Sequence, residues 1–249
     1  MTSAKIEPQR ILTNFLRSYL TDINASRSGN WIYPDFPRVE SLGDNQFPRI
    51  GISLISESAE PMGIFDDNQN HTILLQIDVV TKKDLVNTLT VTDEALGTMA
   101  STVNSDRFTF NSIPTTVTNI KHATTAYGTV TLQNTNADFT SPASLSADEV
   151  EYSFSTGDLN FSSADVSSHD GEAITSTYTV NFEGEKAVKY LARQIWIAIK
   201  NNWRTDSTMN GLRDPLLISN ITVPLDEELG IYRQTLELEF KMFNIGEGL

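Results

Sequence analysis

The sequence predicts an α+β protein, in which an antiparallel sheet carries two helices on one face and an inserted all-β domain interrupts the chain. Apolar residues recur at helical spacing in two segments, Glu7–Ile23 and Glu185–Trp203. Short segments with the alternation typical of strands lie beside each of them. Residues 85–182 differ in composition from both. We therefore predict one discontinuous domain, 1–84 with 183–249, and an inserted domain, 85–182.

The part before the insertion is predicted as a helix followed by a hairpin. The helix covers Glu7–Ile23 and starts with a proline in its first turn, where proline is tolerated. Residues 49–55 and 71–80 alternate apolar and polar side chains, which predicts two strands. A long loop, residues 56–70, is expected to connect them.

The loop after the first helix carries three aromatic residues, Trp31, Tyr33 and Phe36. Aromatic side chains in such a loop cover the edge of a core more often than they bind a ligand, because they bury large apolar surfaces. A platform for a carbohydrate or a protein partner is the alternative interpretation.

The segment 85–182 is predicted to fold as short strands rich in Ser and Thr. It contains 32 Ser and Thr residues, and eleven acidic residues against two basic ones. It also keeps aromatic residues, which disordered segments lack. Residues 150–154, 159–161 and 175–182 show the alternation of strands, with turn residues between them.

After the insertion, Glu185–Trp203 is the strongest helical pattern in the chain, and its apolar arc is wide enough to need more than one neighbour. Two strands are predicted next, Leu216–Val223, which Pro224 is expected to end, and Ile231–Phe243. The last strand has one apolar row and one polar row. The residues predicted to form a subunit interface lie on these elements: Trp196, Ile197, Trp203, Tyr232 and Phe243.

The composition excludes several classes of function. With 32 acidic and 18 basic residues the chain has a net charge of −14, which disfavours binding to nucleic-acid phosphates or to an anionic membrane. No apolar run is long enough to cross a membrane. The absence of cysteine removes disulfides, thiolate metal ligands and cysteine nucleophiles.

The sequence contains no recognisable catalytic or metal-binding motif. It has no glycine-rich phosphate loop, and His71, His122 and His169 lie far apart in the chain. His169 and Asp170 are adjacent, but adjacent side chains rarely converge on one reacting group, so a hydrolytic pair is not expected. We therefore predict a protein that is not an enzyme and has no cofactor and no metal site. A carboxylate-based hydrolase is the weakest alternative.

Outside the insertion, five segments follow one another in a recognisable order: WIYPDFPRV (31–39), FPRIGISLI (47–55), LLQIDVVTKKD (74–84), GEKAVKYLARQIWIAIKNNW (184–203) and LLISNITVPLDEELGIYRQTLELEFKMFN (216–244). In their order and in their general residue pattern they resemble the tail terminator and tail-completion proteins of long-tailed viruses, the minor tail protein U-like group. The segment 85–182 departs from this pattern, because it lies where the second strand would run straight into the second helix.

This resemblance implies a structural virion protein, of an archaeal virus or a bacteriophage, that is assembled in the host cytoplasm. Six copies would form a ring that caps the tail tube protein, ends tube polymerisation and joins the tail to the head–tail connector or neck proteins. Viral DNA would pass through the lumen of this hexamer without sticking to it, and no membrane partner is implied.

Two groups of acidic residues are candidates for lining that lumen or facing a partner. Asp66 and Asp67 lie in the predicted hairpin loop, and Glu237 and Glu239 lie in the polar row of the last strand. Negative charge there would repel DNA phosphates. An ordinary solvated surface is the alternative interpretation for all four residues.

A different class of function also fits the sequence. In this alternative the protein is a binding or adhesion module on the virion surface, and its activity lies in the inserted segment 85–182. Deleting that segment separates the two hypotheses, because a ring-forming subunit keeps its function without it and an adhesin does not.

Overall fold

The computed structural model describes residues 7–35, 42–61, 69–101, 107–209 and 211–244. The chain divides into two compact units. The first unit comprises Met1–Asn87 and Phe182–Leu249, and the second unit comprises Thr88–Asn181. The protein is rich in strands and also contains helices, so its fold class is α+β.

The first unit is built on a five-stranded sheet with the strand order β1-β2-β3-β13-β12. These strands are β1 (Ile32–Tyr33), β2 (Arg49–Pro61), β3 (Gln69–Lys82), β12 (Arg213–Asp226) and β13 (Ile231–Asn244). β1 pairs with β2 in parallel, and all other neighbours are antiparallel. The strand closest to the C-terminus therefore lies inside the sheet, and β12 lies at its edge.

Two helices pack on this sheet. The α-helices among the described residues are α1 (Pro8–Tyr19) and α3 (Gly184–Asn202) in the first unit, and α2 (Ser163–Ser168) in the second. α1 packs on β1 and β2, α3 packs on β3, β12 and β13, and the two helices contact each other. Beneath them one row of the central strands is fully buried: Ile73, Leu75, Ile77, Val79, Leu236, Leu238 and Phe240. The alternation in the sequence therefore marks the core face of the sheet.

The first helix is shorter than predicted, because it ends at Tyr19 and not at Ile23. Asp22 accepts a hydrogen bond from the backbone N–H of Asn24, at 2.9 Å. Asn24 in turn donates to the carbonyl of Phe47, at 2.9 Å. Such bonds between side chains and the backbone compete with helical ones, so the chain turns while Ile23 remains buried.

The predicted hairpin is present, but its strands are longer than expected. Residues 56–61 and 69–70, which the sequence predicts as part of the loop, continue β2 and β3. One reason is the pairing of His71 on β3 with Glu57 on β2. The Nδ1 atom of His71 lies 2.8 Å from the Oε1 atom of Glu57. Such a cross-strand pair stabilises the extension.

The strand β12 also exceeds its predicted bounds, since it runs through Pro215 and Pro224 and does not stop at the second. Both prolines fall where the pairing register with β13 shifts. Proline lacks a donor for the ladder and is tolerated on edge strands and at bulges. The position of β12 at the edge of the sheet thus explains why Pro224 does not end it.

The second unit contains two four-stranded sheets, with the orders β5-β10-β9-β8 and β4-β11-β6-β7. The strands are β4 (Val86–Thr98), β5 (Arg107–Thr109), β6 (Thr116–His122), β7 (Thr125–Ala126), β8 (Thr129–Gln133), β9 (Glu149–Ser153), β10 (Asp158–Phe161) and β11 (Ala173–Glu183). Edge-to-face ring contacts such as Phe110 with Tyr178 and Phe108 with Phe161 form part of its core.

The prediction of an all-β segment missed the helix α2. Ser162 caps this helix, because its hydroxyl accepts a hydrogen bond from the Asp165 N–H at 3.0 Å and donates to the Asp165 carboxylate at 2.7 Å. Serine before the first turn with an acid three residues later is the pattern of a helix start. The high Ser content of the segment concealed this signal.

Candidate assembly surface

The strand β12 leaves one side of the first sheet open. Within the described ranges, β12 pairs with β13 on one side and with no strand on the other. It is 14 residues long. Long edge strands expose unpaired N–H and C=O groups and tend to pair with another chain, unless charge, bulges or a covering segment prevents it. We call this strand and its outward side chains the β12 edge.

Aliphatic side chains are exposed along the β12 edge. Leu216, Ile218 and Ile221 have exposures of 54%, 50% and 53%. Leu216 lies opposite Glu239 of β13, and Ile221 lies opposite Thr235. Both therefore point to the face of the sheet away from the helices. Exposed aliphatic groups beside an open edge favour binding of a partner, which would remove them from water.

The polar row of β13 is tied to β3 through a buried carboxylate. Asp78 is 3% exposed and accepts hydrogen bonds from Arg233 Nε at 2.8 Å and from Thr235 Oγ1 at 2.7 Å. Its second oxygen lies 2.7 Å from Arg233 Nη2 and accepts a bond from Gln76 at 2.7 Å. A buried carboxylate needs such partners. This part of the polar row therefore stabilises the first unit itself.

Glu237 and Glu239, two of the four acids predicted to face a lumen or a partner, lie further along the same row. Both are half-buried. Ser219 donates a hydrogen bond to Glu237 at 2.9 Å, and Lys241 Nζ lies 3.1 Å from a carboxylate oxygen of Glu239. Lys241 therefore offsets part of the negative charge at Glu239.

The predicted interface residues on α3 lie at the margin of its buried stripe. Ile197 is 36% exposed, and Trp196 and Trp203 are half-buried. A groove of about 560 Å³ lies at the end of the helix, and its lining includes Trp203, Arg204 and Asp214. These side chains are therefore accessible at the surface of the first unit.

Tyr232 packs against the start of α3 within the first unit. Gly184 has a φ of +46°, and a Cβ atom built on it would lie 2.8 Å from the Tyr232 ring. Only glycine allows the ring to approach so closely. Tyr232 is half-buried in this position, so part of its surface remains for a partner.

Some predicted positions lie outside the described residues. These are Phe36, Asp66 and Asp67, and also the side chain of Phe243. Of the other loop aromatics, Trp31 is 7% exposed, and the Arg49 guanidinium lies 3.8 Å from the centre of the Tyr33 ring. Trp31 therefore covers the core, which agrees with the first of the two interpretations.

Two of the three histidines meet in the second unit. The rings of His122 and His169 have centroids 3.7 Å apart. Their Nδ1 atoms lie 2.8 Å and 3.3 Å from Oε2 of Glu172. The hydrogen bond with His122 lowers the pKa of the Glu172 carboxyl. Asp170, the neighbour of His169 in sequence, instead accepts a bond from the Ser101 N–H at 2.7 Å.

Sequence reasoning missed this cluster because its two histidines belong to elements far apart in the chain. His122 ends β6, whereas His169 directly follows α2. The spacing of His169 and Glu172 was the only local signal, and such a spacing is common by chance. The pairing of β6 with β11 brings the first histidine to the other two residues.

Comparison of the chain with protein families, with curated proteins and with solved structures found no match. Among the described helices, none combines the length and the apolar character needed to span a membrane.

Proposed function

We propose that this chain is a structural subunit of a viral tail, which associates with copies of itself through the β12 edge to form a ring of six. The ring caps the tail tube, ends its polymerisation and joins the tail to the connector or neck proteins. In this proposal the second unit is an inserted domain that decorates the ring. The observation that carries the proposal is the open, aliphatic β12 edge.

Ring formation requires two different surfaces on each subunit, because a closed ring is built from head-to-tail contacts. The β12 edge can supply one of them, by adding a strand from a neighbour or by covering Leu216, Ile218 and Ile221. The exposed margin of α3 around Ile197 can supply the other. Neither surface is needed for the core of the subunit.

The assignment to a viral tail is supported by the order of elements in the first unit. A helix, a long hairpin, a second helix and a strand pair follow one another on either side of the second unit. This is the order on which the resemblance to tail terminators depends. The net charge of −14 is compatible with a lumen that DNA crosses without binding.

Oligomeric state and tube binding test the proposal directly. We expect the full chain, alone or with tail tubes of the virus that encodes it, to form six-fold rings in negative-stain images. Size-exclusion chromatography with light scattering measures the mass of the assembly. A chain that stays monomeric at every concentration and does not bind tube ends would refute the proposal.

A pair of substitutions tests the role of the β12 edge. Ile218→Lys with Ile221→Lys places two charges on it, and we expect loss of assembly with an unchanged circular dichroism spectrum, because charged edges resist pairing. Ile113→Lys is the control, since Ile113 is 44% exposed in the second unit. Equal loss of assembly in both variants would show that charge alone, and not this edge, is responsible.

The adhesion alternative has an observation of its own in the second unit. Leu132 on the edge strand β8 is 52% exposed, and Phe154, just after β9, is 48% exposed. The two strands are neighbours, so these side chains offer apolar surface for a ligand or a receptor. A full chain that binds a cell surface but never forms rings would favour this alternative.

A further inference from the structure

We propose that His122, His169 and Glu172 form a binding site for one divalent transition-metal ion of the Zn²⁺ class. Two imidazole nitrogens and one carboxylate oxygen are a donor set that suits Zn²⁺, whereas Ca²⁺ and Mg²⁺ prefer oxygen ligands. The site lies wholly within the second unit. It does not depend on the ring proposed for the first unit.

The distances already approach those of a metal site. The candidate ligand atoms of the three residues all lie within 4.8 Å of one another. With Zn–N and Zn–O bonds of about 2.0–2.1 Å, tetrahedral geometry separates its ligand atoms by about 3.3 Å. The His169 Nδ1 to Glu172 Oε2 distance is 3.3 Å, and the corresponding distance from His122 is 2.8 Å. Both separations are at or below this value, and binding would turn the two rings out of their present arrangement, in which their centroids lie 3.7 Å apart.

The backbone holds all three residues in place. His122 pairs with Ile174 across β6 and β11, and the neighbouring Ala123 N–H donates to the carbonyl of Ala173 at 2.9 Å. The His169 N–H donates to the carbonyl of Asp165 at 2.8 Å, at the end of α2. The Glu172 N–H donates to the carbonyl of His169 at 3.0 Å. Ligands held in advance lose little freedom on binding, which strengthens the site.

The site also has a route for an ion and room for a further ligand. The side chains of His122, His169 and Glu172 are 13%, 24% and 38% exposed. Within the described ranges these three are the only group of His, Asp and Glu residues with such spacing. Three protein ligands leave a fourth position for water, as in zinc sites that remain open.

The competing interpretation is a plain hydrogen-bonded trio without metal. In that arrangement both imidazoles share a single carboxylate oxygen while their rings lie face to face. A bound cation instead uses both Nδ1 lone pairs and the carboxylate together. The two interpretations differ in metal affinity, so experiment can separate them.

Binding would join three separate segments of the second unit: the end of β6, the end of α2 and the turn before β11. A ligand that binds only the folded state raises its stability, and the gain grows with the ratio of the free ligand concentration to the dissociation constant. We therefore expect Zn²⁺ to raise the melting temperature of the second unit in the full chain.

The test uses the full chain after removal of metals with a chelator. Zn²⁺ is titrated by calorimetry in excess Mg²⁺, which occupies weak sites on the acidic surface. We expect one tight site, and Co²⁺ in its place should give the strong visible absorption of tetrahedral coordination. Binding that is equally weak for Zn²⁺ and Mg²⁺, or a Co²⁺ spectrum of the hydrated ion, would overturn the proposal.

Variants assign the site to its residues. His122→Gln and Glu172→Gln should each weaken Zn²⁺ binding about 100-fold or more, since even loss of an outer-shell partner costs 10–100-fold. His71→Gln is the matched control, because it removes the remaining histidine, which pairs with Glu57 in the first unit. It should leave the affinity unchanged.

Folding of each variant is checked by circular dichroism, and His169→Gln replaces any variant that does not fold. The site would be refuted if folded variants at Glu172, His122 or His169 bound Zn²⁺ as tightly as the wild type. Equal losses in His71→Gln and His122→Gln would refute it as well, because binding would then follow histidine content and not this cluster.

Discussion

Glu151 is a buried acid of the second unit that is surrounded by hydrogen-bond donors. It is 4% exposed and accepts bonds from the N–H and hydroxyl of Thr140, at 2.8 Å and 2.7 Å. Gln133 and Asn160 donate to it at 2.9 Å and 3.0 Å. Burial raises the pKa of this carboxyl, and the four hydrogen bonds lower it. The effect of the hydrogen bonds is larger than that of burial, so the pKa lies below the ordinary value of 4.5.

A lowered pKa in the folded state makes stability depend on pH. The stabilising contribution of Glu151 is fully present above pH 4.5, and it is lost as the pH falls through the folded pKa, because the unfolded chain takes up the proton first. We expect Glu151→Gln to lose about 2 kcal/mol of unfolding free energy at pH 7, since hydrogen bonds to a charged acceptor are replaced. The variant should also show a weaker pH dependence in acid.

Hydrogen exchange of the second unit, measured at pH 7 and at several acidic values, provides the stability of that unit. Glu149→Gln is the control, because Glu149 lies on the same strand and has a 3.2 Å bond from the Ser146 N–H. Identical pH profiles for the wild type and Glu151→Gln would contradict the assignment of this carboxylate as a source of stability.

At the scale of elements, α3 combines a buried stripe with a partly exposed margin. Leu191, Ile195 and Ile199 are almost completely buried against the sheet, whereas Ile197 is 36% exposed. The sequence shows one wide apolar arc and does not distinguish its two parts. Under the proposed function the distinction matters, because a partly exposed margin can contact a neighbouring copy and a buried stripe cannot.

Two alanine substitutions on α3 separate packing from assembly. Ile195→Ala should lower the unfolding free energy by about 2–5 kcal/mol, because it removes buried methylenes and leaves a cavity. Ile197→Ala should lower it by about 0.5 kcal/mol or less, as is usual for surface positions. Denaturant titration followed by tryptophan fluorescence measures both, since all three tryptophans belong to the first unit.

Under the proposed function, Ile197→Ala should still weaken ring formation although the fold is intact. A variant with normal assembly would remove α3 from the candidate surface and leave the β12 edge. A large loss of stability in Ile197→Ala would instead show that this side chain belongs to the core.

At the scale of the whole molecule, the chain passes from the first unit to the second along β4 and returns along β11, and these two strands are neighbours in one sheet. β4 and β11 pair in one sheet, and the Thr88 hydroxyl donates to the side chain of Asn181 at 2.9 Å. The two ends of the second unit are therefore close in space. A few residues can replace it without pulling the first unit apart, because short loops cost little closure entropy.

We expect a chain in which a short glycine-rich linker replaces residues 88–181 to remain folded and to form the same ring. Tryptophan fluorescence reports its fold, and light scattering reports its assembly. A folded but monomeric deletion variant, compared with a ring-forming full chain, would place the assembly surface in the second unit. An unfolded deletion variant would show that the two units depend on each other.

How far the sequence predicts this fold depends on how local each signal is. The helix over Gly184–Asn202 and the strand over Ile231–Asn244 follow their periodic patterns within one or two residues. The α2 helix was missed because its Ser-rich sequence resembles the surrounding loops. The ends of β2 and β12 were missed because their lengths depend on the strands beside them.

The sequence by itself determined the types of the main elements, the burial of one face of the sheet and the acidic character of the chain. These are local or additive properties, set by periodicity and by composition. Only the tertiary structure decided that β12 is an edge strand with Leu216 and Ile221 exposed, and that His122 meets His169 and Glu172. The edge position of β12 and the meeting of these three residues depend on which distant strands pair. The packing of the whole core determines that pairing.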